Sequence, residues 1–306
     1  MGKKIVSNLR SVYLFAYLEY LIRWIIPQKV FGDEVISKRK FRKEFGYELN
    51  LDKPRTLNEK MVWLKLNDHR DFCTMCADKY RVRDYIKHTF GEQYLVPMLY
   101  MTEDISDIIP ENMPNAPCVV KSNTGSGGVE LVHDWKEIDF KKLRTNIKKW
   151  NNLNRYYMTQ EWQYKNIKPC IIIEQMLLTK EGKIPGDYKL HYLNGKLAFI
   201  YCCYDREGDT KRGMFDREWN RLPFQWISNV NYKTGLKDGT IPKPDSLDEM
   251  IRMGDEVAKN FKYVRVDFYD VDGKPYFGEI TLYHGAGFNH FHPKEYDLKY
   301  GEMLEL

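Results

Sequence analysis

Two tight-turn signals constrain this chain more than any other feature. Asn194-Gly195 lies inside DYKLHYLNGKLAFIYCCYD (187–205), and Asp272-Gly273 inside VRVDFYDVDGKPYFGEITLY (264–283). Asn-Gly and Asp-Gly tolerate positive φ at two consecutive positions, as a two-residue hairpin turn requires, and β-branched and aromatic residues flank both. Two such hairpins commit the second half of the chain to antiparallel sheet. Between them SLDEMIRMGDEVAKNF (246–261) has the apolar spacing of a helix, while CIIIEQMLL (170–178) reads as a buried strand. The expected fold class is therefore α+β, with antiparallel sheets and helices against one face.

The first half adds helices and one unusual loop. Residues 31–70 are charged and helical where periodic, and Thr56 with Glu59 three residues later forms the pattern of a capping box. Residues 76–90 read as a helix that ends near Gly91. Then comes PCVVKSNTGSGGVELV (117–132), in which an apolar run reaches Lys121, crosses three glycines and resumes as a strand. A plain hairpin needs only one or two turn residues. A loop this small and polar lets a ligand lie close to the backbone, and phosphate is the usual occupant. No G-x-G-x-x-G opens a helix, and the lysine precedes the glycines, so neither the dinucleotide fingerprint nor the Walker loop applies.

Composition narrows the function classes. A chain of 306 residues can hold one large domain or two or three subdomains. With 43% hydrophobic and 30% charged residues it reads as a folded globular protein, and a net charge of +5 is too mild for a general nucleic-acid footprint. No basic stripe interleaved with stacking aromatics is visible, which excludes nucleic acid as the expected partner. The six cysteines form no disulfide framework: Cys73 and Cys76 make a lone CxxC, and Cys202-Cys203 sit in an apolar run. Reduced structural thiols in the cytoplasm are expected. The first residues, MGKKIVSNLRSVYLFAYLEYLIRWIIPQ, are basic and then apolar. Glu19 and Arg23 interrupt the apolar run at i,i+4 spacing, which argues against a membrane span and for a helix. That helix (5–26) either packs on the protein body or lies on the inner face of the cytoplasmic membrane.

The strongest chemical pattern is RVDF…GEIT. Arg265 and Asp267 share a strand face, and the hairpin returns Glu279 and Thr281 towards them. Two carboxylates without further protein ligands suit Mg²⁺, which keeps waters and takes phosphate oxygens, and the arginine would steady a phosphoryl group. A solvated hairpin with cross-strand ion pairs is the plainer alternative, but these charges lie within apolar runs. His284, His290 and His292 have no fixed spacing for zinc. A substrate loop including His284 and Gly287 is the better expectation, joined by Lys211 and Arg212 if the substrate is an anionic sugar. Trp219 and Trp226 are expected in the core.

VVK with its glycine loop, IIIEQML and RVDF…GEIT occur in the order of the ATP-grasp superfamily. PRTLNEKMVWLKLND, ADKYRVRDYI, FDREWNRLPF and GEITLYHGAGF resemble the TupA-like branch, found among surface-polysaccharide and teichuronopeptide biosynthesis proteins. The resemblance runs from about residue 40 to the C-terminus. It implies an ATP-grasp fold, with a helical region over 1–75, one subdomain over 76–172 carrying a lid loop at 122–128, and another over 173–306. By the same resemblance Lys79 and Lys121 meet phosphate, with Lys121 and Arg265 catalytic, and Ser122, Gly125, Ser126, Gly127 and Gly128 belong to the lid. Glu174, Gln175, Met176 and Leu177 form the adenine-binding hinge, and Asp187 lies near the ribose with Lys189 on its strand face. Asp267 and Glu279 hold two Mg²⁺ ions. Thr281 stands where most of the superfamily has asparagine, a weaker ligand that the TupA-like branch tolerates. The implied activity is ATP-dependent ligation of a carboxylate and an amine, an amino acid with a sugar acid or glycan. A sugar kinase and a catalytically inactive scaffold are the alternatives.

Overall fold

The computed structural model describes residues 13–125, 127–204, 210–228 and 240–306. Among them the α-helices are α1 (Tyr13–Tyr20), α2 (Ile26–Phe45), α3 (Leu57–Asn67), α4 (Asp71–Ala77), α5 (Val82–Phe90), α6 (Phe140–Asn152), α7 (Arg155–Thr159), α8 (Leu247–Ala258) and α9 (Glu295–Met303). The strands are β1 (Met98–Thr102), β2 (Cys118–Ser122), β3 (Val129–Val132), β4 (Ile171–Gln175), β5 (Gly186–Leu193), β6 (Lys196–Tyr204), β7 (Lys211–Phe215), β8 (Arg221–Leu222), β9 (Gln225–Ile227), β10 (Tyr263–Val271), β11 (Lys274–Thr281) and β12 (His290–His292). The chain divides into two compact units. One holds residues up to Lys40, His69–Val82 and Pro97–Met176; the other holds Phe41–Asp68, Arg83–Val96 and Leu177–Leu306.

In the first unit β1, β4, β2 and β3 form an antiparallel sheet in that order. The strand alternation decides what faces where. Cys118, Val120, Ile171 and Ile173 enter a core with Leu143 and Ile147 of α6. Lys121 and Glu174 are thereby turned to the opposite face. The expected helix over 76–90 is instead two, α4 and α5, parted at Asp78. Its carboxylate accepts from the backbone N–H of Tyr80 and Arg81, a local turn that competes with the helix ladder.

At the start of this unit α1 runs into a π-helical turn, Leu21–Ile25, before α2. Pro27 has no N–H to give the ladder, and the turn before it widens so that Ile26 N–H reaches Leu21 O. Arg23 pairs with Glu19 at 3.1 Å, as the i,i+4 spacing predicts. The tyrosine side of the helix docks: Tyr20 donates to Asn154 O, and Gln28, Asp33 and Tyr156 join in one hydrogen-bonded group. Among the described residues no helix is long and apolar enough to cross a membrane.

The second unit is built on a six-stranded antiparallel sheet, β11-β10-β5-β6-β7-β8. Both predicted turns are present, with φ of 48° and 76° at Asn194-Gly195 and 52° and 85° at Asp272-Gly273. Helix α8 covers one face, where Tyr192 and Val264 point and where Tyr192 donates to Ile251 O. The other face carries His191, Arg265, Lys189 and Asp267. Trp226, on the short β9–β12 ribbon, is fully buried against it, stacked on Phe291, as expected of a core residue. Helix α3 begins with the predicted capping box and is tied to α9 by Asn58, whose backbone and side chain both donate to Asp297.

Candidate active site

The densest charge in the second unit lies on the side of β5, β10 and β11 opposite α8. Arg265 donates from Nε and Nη2 to the two oxygens of Asp267 at 2.6 and 2.7 Å, and from Nη2 to Glu279 at 2.7 Å. Lys189 reaches Asp267 at 3.0 Å and also pairs with Asp187. Thr281 donates to Glu279 at 3.0 Å. Three carboxylates thus face two cations in a largely buried patch. Burial alone would lower the Lys189 ammonium, but Asp187 and Asp267 outweigh it and raise its pKa. Burial raises the Asp267 carboxyl against the opposing pull of Arg265 and Lys189. Arg265 stays charged, because its two carboxylates outweigh its desolvation.

His284 completes the group from below. Arg265 Nη1 donates to its Nδ1 at 2.8 Å, so the ring proton must sit on Nε2, which faces Trp226 O at 3.3 Å. Asn289 Nδ2 lies 2.9 Å from the same Nε2. Burial and the Arg265 charge push His284 well below the ordinary imidazole value, and burial does the same to His191 beside it. His284 therefore acts as a neutral acceptor that orients Arg265.

A bulge makes this arrangement possible. A two-residue turn pairs Val271 with Lys274, and that register carried inward would set Glu279 opposite Val266, on the α8 face. The register shifts between Asp267 and Phe268, leaving Gly278 as the extra residue. Asp267 then pairs with Glu279, and Arg265 with Thr281, all on one face. A Cβ at Gly278 would lie 3.1 Å from Asp267 O, a tight contact that the backbone would have to relieve, so glycine eases the bulge. The alternation rule alone missed this residue. A glycine inside a strand pattern, next to a functional carboxylate, was the available signal.

In the first unit Lys121 donates to Glu174 at 2.7 Å across β2 and β4. Lys79 donates to Gly125 O in the glycine loop. Asn123, inside the expected lid but given no role of its own, holds this loop: it donates to Asp78 and to Lys168 O, and accepts from Cys170 N–H. Ser122 N–H closes the loop on Gly128 O, and its hydroxyl donates to Asn151. Gly125 has φ of 68° and lies against Arg155. Gly127 and Gly128 lie in the same loop, and Ser126 is outside the described residues. Gln175 and Met176 donate their N–H groups to Pro97 O and Pro117 O, and between Met176 and Leu177 the chain leaves this unit.

Of the expected substrate residues, Arg212 pairs with Cys203 and so shares a face with Asp187. It lines a cavity of about 200 Å³ with Tyr201, Arg221 and Gln225. Lys211 stands next to it opposite Tyr204, on the other face. Gly287 is buried against Val62 and Met61 of α3. Among the described residues no three His, Cys, Asp or Glu side chains form a metal cluster. Two carboxylates and a hydroxyl are an all-oxygen, incomplete shell, and that donor set fits Mg²⁺ shared with phosphate.

The model of the family described as TupA-like ATPgrasp matches residues 59–305. The chain belongs to the TupA-like ATP-grasp family. Its fold is the α+β ATP-grasp fold. Similar solved structures are D-cycloserine synthetase DcsG (13% identity, 75% of this chain and 69% of that one, TM-score 0.42) and ATP-grasp ligase PsnB with a phosphomimetic precursor variant, Mg and ADP (10%, 70% and 52%, TM-score 0.39). A D-alanine–D-alanine ligase from Bacillus anthracis matches at 16% identity over 68% of this chain and 56% of that one, with a TM-score of 0.34. The chain spans about half the length of the PsnB structure. No curated protein matches. In this ATP-grasp chain the family match contains Lys79, Lys121, Arg265, Asp267 and Glu279 together.

Proposed function

We propose that this protein is an ATP-dependent carboxylate–amine ligase that joins an amino acid to a sugar acid of a bacterial surface polysaccharide or its precursor, in the cytoplasm. The observation that carries it is the rung on which Asp267 faces Glu279, bridged by Arg265, inside the family match. A substrate carboxylate oxygen attacks the γ-phosphorus of ATP, releasing ADP and leaving an acyl phosphate. The amine nitrogen then attacks the acyl carbon, phosphate departs, and the amine proton passes to solvent as the amide forms. No side-chain nucleophile is needed, so positioning and charge carry the catalysis.

Asp267, Glu279 and Thr281 are the residues to hold Mg²⁺, which when bound neutralises phosphate charge. Arg265 steadies the transferring phosphoryl group, with His284 fixing its orientation. Lys121, Lys79 and the backbone of 122–128 take the phosphates. Glu174 to Leu177 hold adenine, and Asp187 with Lys189 the ribose side. Lys211 and Arg212 are the substrate-side cations for an acidic sugar, with Gly287 in the neighbouring loop.

The test uses purified protein with ATP, Mg²⁺, pooled amino acids and a panel of uronic acids, followed for ADP and phosphate and by mass spectrometry. Phosphate release that requires both an amine and a carboxylate, with an amide product, is the expected result. A phosphorylated sugar formed without amine would assign a kinase instead. No nucleotide binding would overturn the proposal.

A further inference from the structure

The amino-terminal helix is built inside out. In a globular helix the apolar stripe faces the core and the polar side faces water. Here the docked side is the tyrosine side: Tyr20 with Asn154 and the edge of Tyr157, Gln28 and Asp33 with Tyr156, and Lys148 over the ring of Tyr13. The outward side is aliphatic. Leu14, Leu18, Ile22, Ile26 and Val30 are each between 47% and 68% exposed, at an unbroken spacing of four.

That spacing matters because four residues overshoot one helical turn, so such a row drifts by about 40° per step. The wide turn at Leu21–Ile25 absorbs an extra residue and sets the row back. Five aliphatic side chains are thereby kept on one side over roughly 24 Å of helix. The row ends where φ of 78° at Gly32 breaks the helix, and the following face carries the Glu34–Lys38 pair. A contiguous exposed aliphatic row of this length is uncommon on a free protein surface.

We infer that this row is a docking face for an anionic lipid bilayer, lying in the interface rather than crossing it. Charge selects this occupant over a second copy or another protein. Residues 1–30 carry Lys3, Lys4, Arg10, Arg23 and Lys29 against Glu19 alone. Arg23 and Lys29 are exposed beside the row. An aliphatic row among cations is the composition of a helix that buries its apolar side in the headgroup boundary and draws anionic lipid to its flanks. The inference does not rest on the ligase reading, because the helix lies in sequence ahead of every residue assigned to nucleotide.

The experiment is sedimentation of the full chain with phosphatidylglycerol–phosphatidylcholine vesicles and with phosphatidylcholine alone, over a salt series. The expected result is binding to the anionic vesicles that weakens with salt. The variant L18E/I22E/I26E should lose at least about tenfold in affinity while keeping the far-UV spectrum of the parent. The milder single changes Ile22→Asn and Val30→Asn should each reduce binding in the same direction. Parent protein that stays in the supernatant with both vesicles overturns the inference whatever the variants do. So does undiminished binding by L18E/I22E/I26E, or a parent dimer that this variant dissociates.

Discussion

Arg265 is the residue on which the charged face depends. Its fork serves Asp267 twice and Glu279 and His284 once each, which a lysine cannot reproduce from a single ammonium. Arg265→Lys should lower ATP turnover by about 10² or more, read as ADP release. It should also destabilise the fold, since buried carboxylates would lose hydrogen bonds, at a cost of about 3 kcal/mol in a urea titration. The neighbouring histidines set a pH dependence. His191 and His284 both have native pKa values pushed well below 6.5 by burial, with Arg265 and Lys189 adding to it. The unfolded chain takes up protons that the native state refuses, so stability is present above about pH 6.5 and is lost as pH falls below it. The urea midpoint should decline from about pH 7 to about pH 5, and His191→Phe should flatten that decline. These residues were partly legible in advance. Arg265, Asp267 and Glu279 announce themselves as charges inside apolar runs, whereas the part His284 plays for Arg265 rests on a contact 19 residues away that no spacing rule contains.

At the scale of elements, hairpins and caps were legible because their signals are local. Asn194-Gly195, Asp272-Gly273 and the Thr56–Glu59 box all formed as their residues dictate. The helix expected over 76–90 was not, because the Asp78 side chain offers the backbone a turn that periodicity does not see. The glycine loop was recognised, but its anchor Asn123 satisfies three backbone or side-chain partners that are distant in sequence. The β10–β11 bulge gives the sharpest prediction. Eleven residues separate Asp267 from Glu279, an odd count that a two-residue turn can bridge only with the bulge. Deleting Gly278 should close the bulge into a regular ladder that still pairs Glu279 with Asp267, so the variant should retain part of its turnover, read as ADP release.

For the whole molecule, binding ties the proposed nucleotide site to global stability. Mg²⁺–ATP at 100 times its Kd should stabilise the chain by about 2.7 kcal/mol, seen as a rise in melting temperature. Asp267→Asn should remove the part of that rise that depends on Mg²⁺. Fold class and family were legible from the order of motifs over most of the chain. The division of the chain was not, since residues 41–68 join the C-terminal unit through contacts that span more than 200 positions, and 83–96 through contacts such as Tyr94 with Glu249, 155 positions apart. That connectivity has a consequence during synthesis. Helix α3 leaves the ribosome 239 residues ahead of Asp297, the side chain that satisfies Asn58, and Lys60 waits longer still for the carbonyls of Gly301 and Leu304. At about 5–20 residues per second the nascent chain holds this helix without its partner for roughly 12–48 s, an interval in which the fully buried Leu57, Met61 and Val62 are open to chaperones.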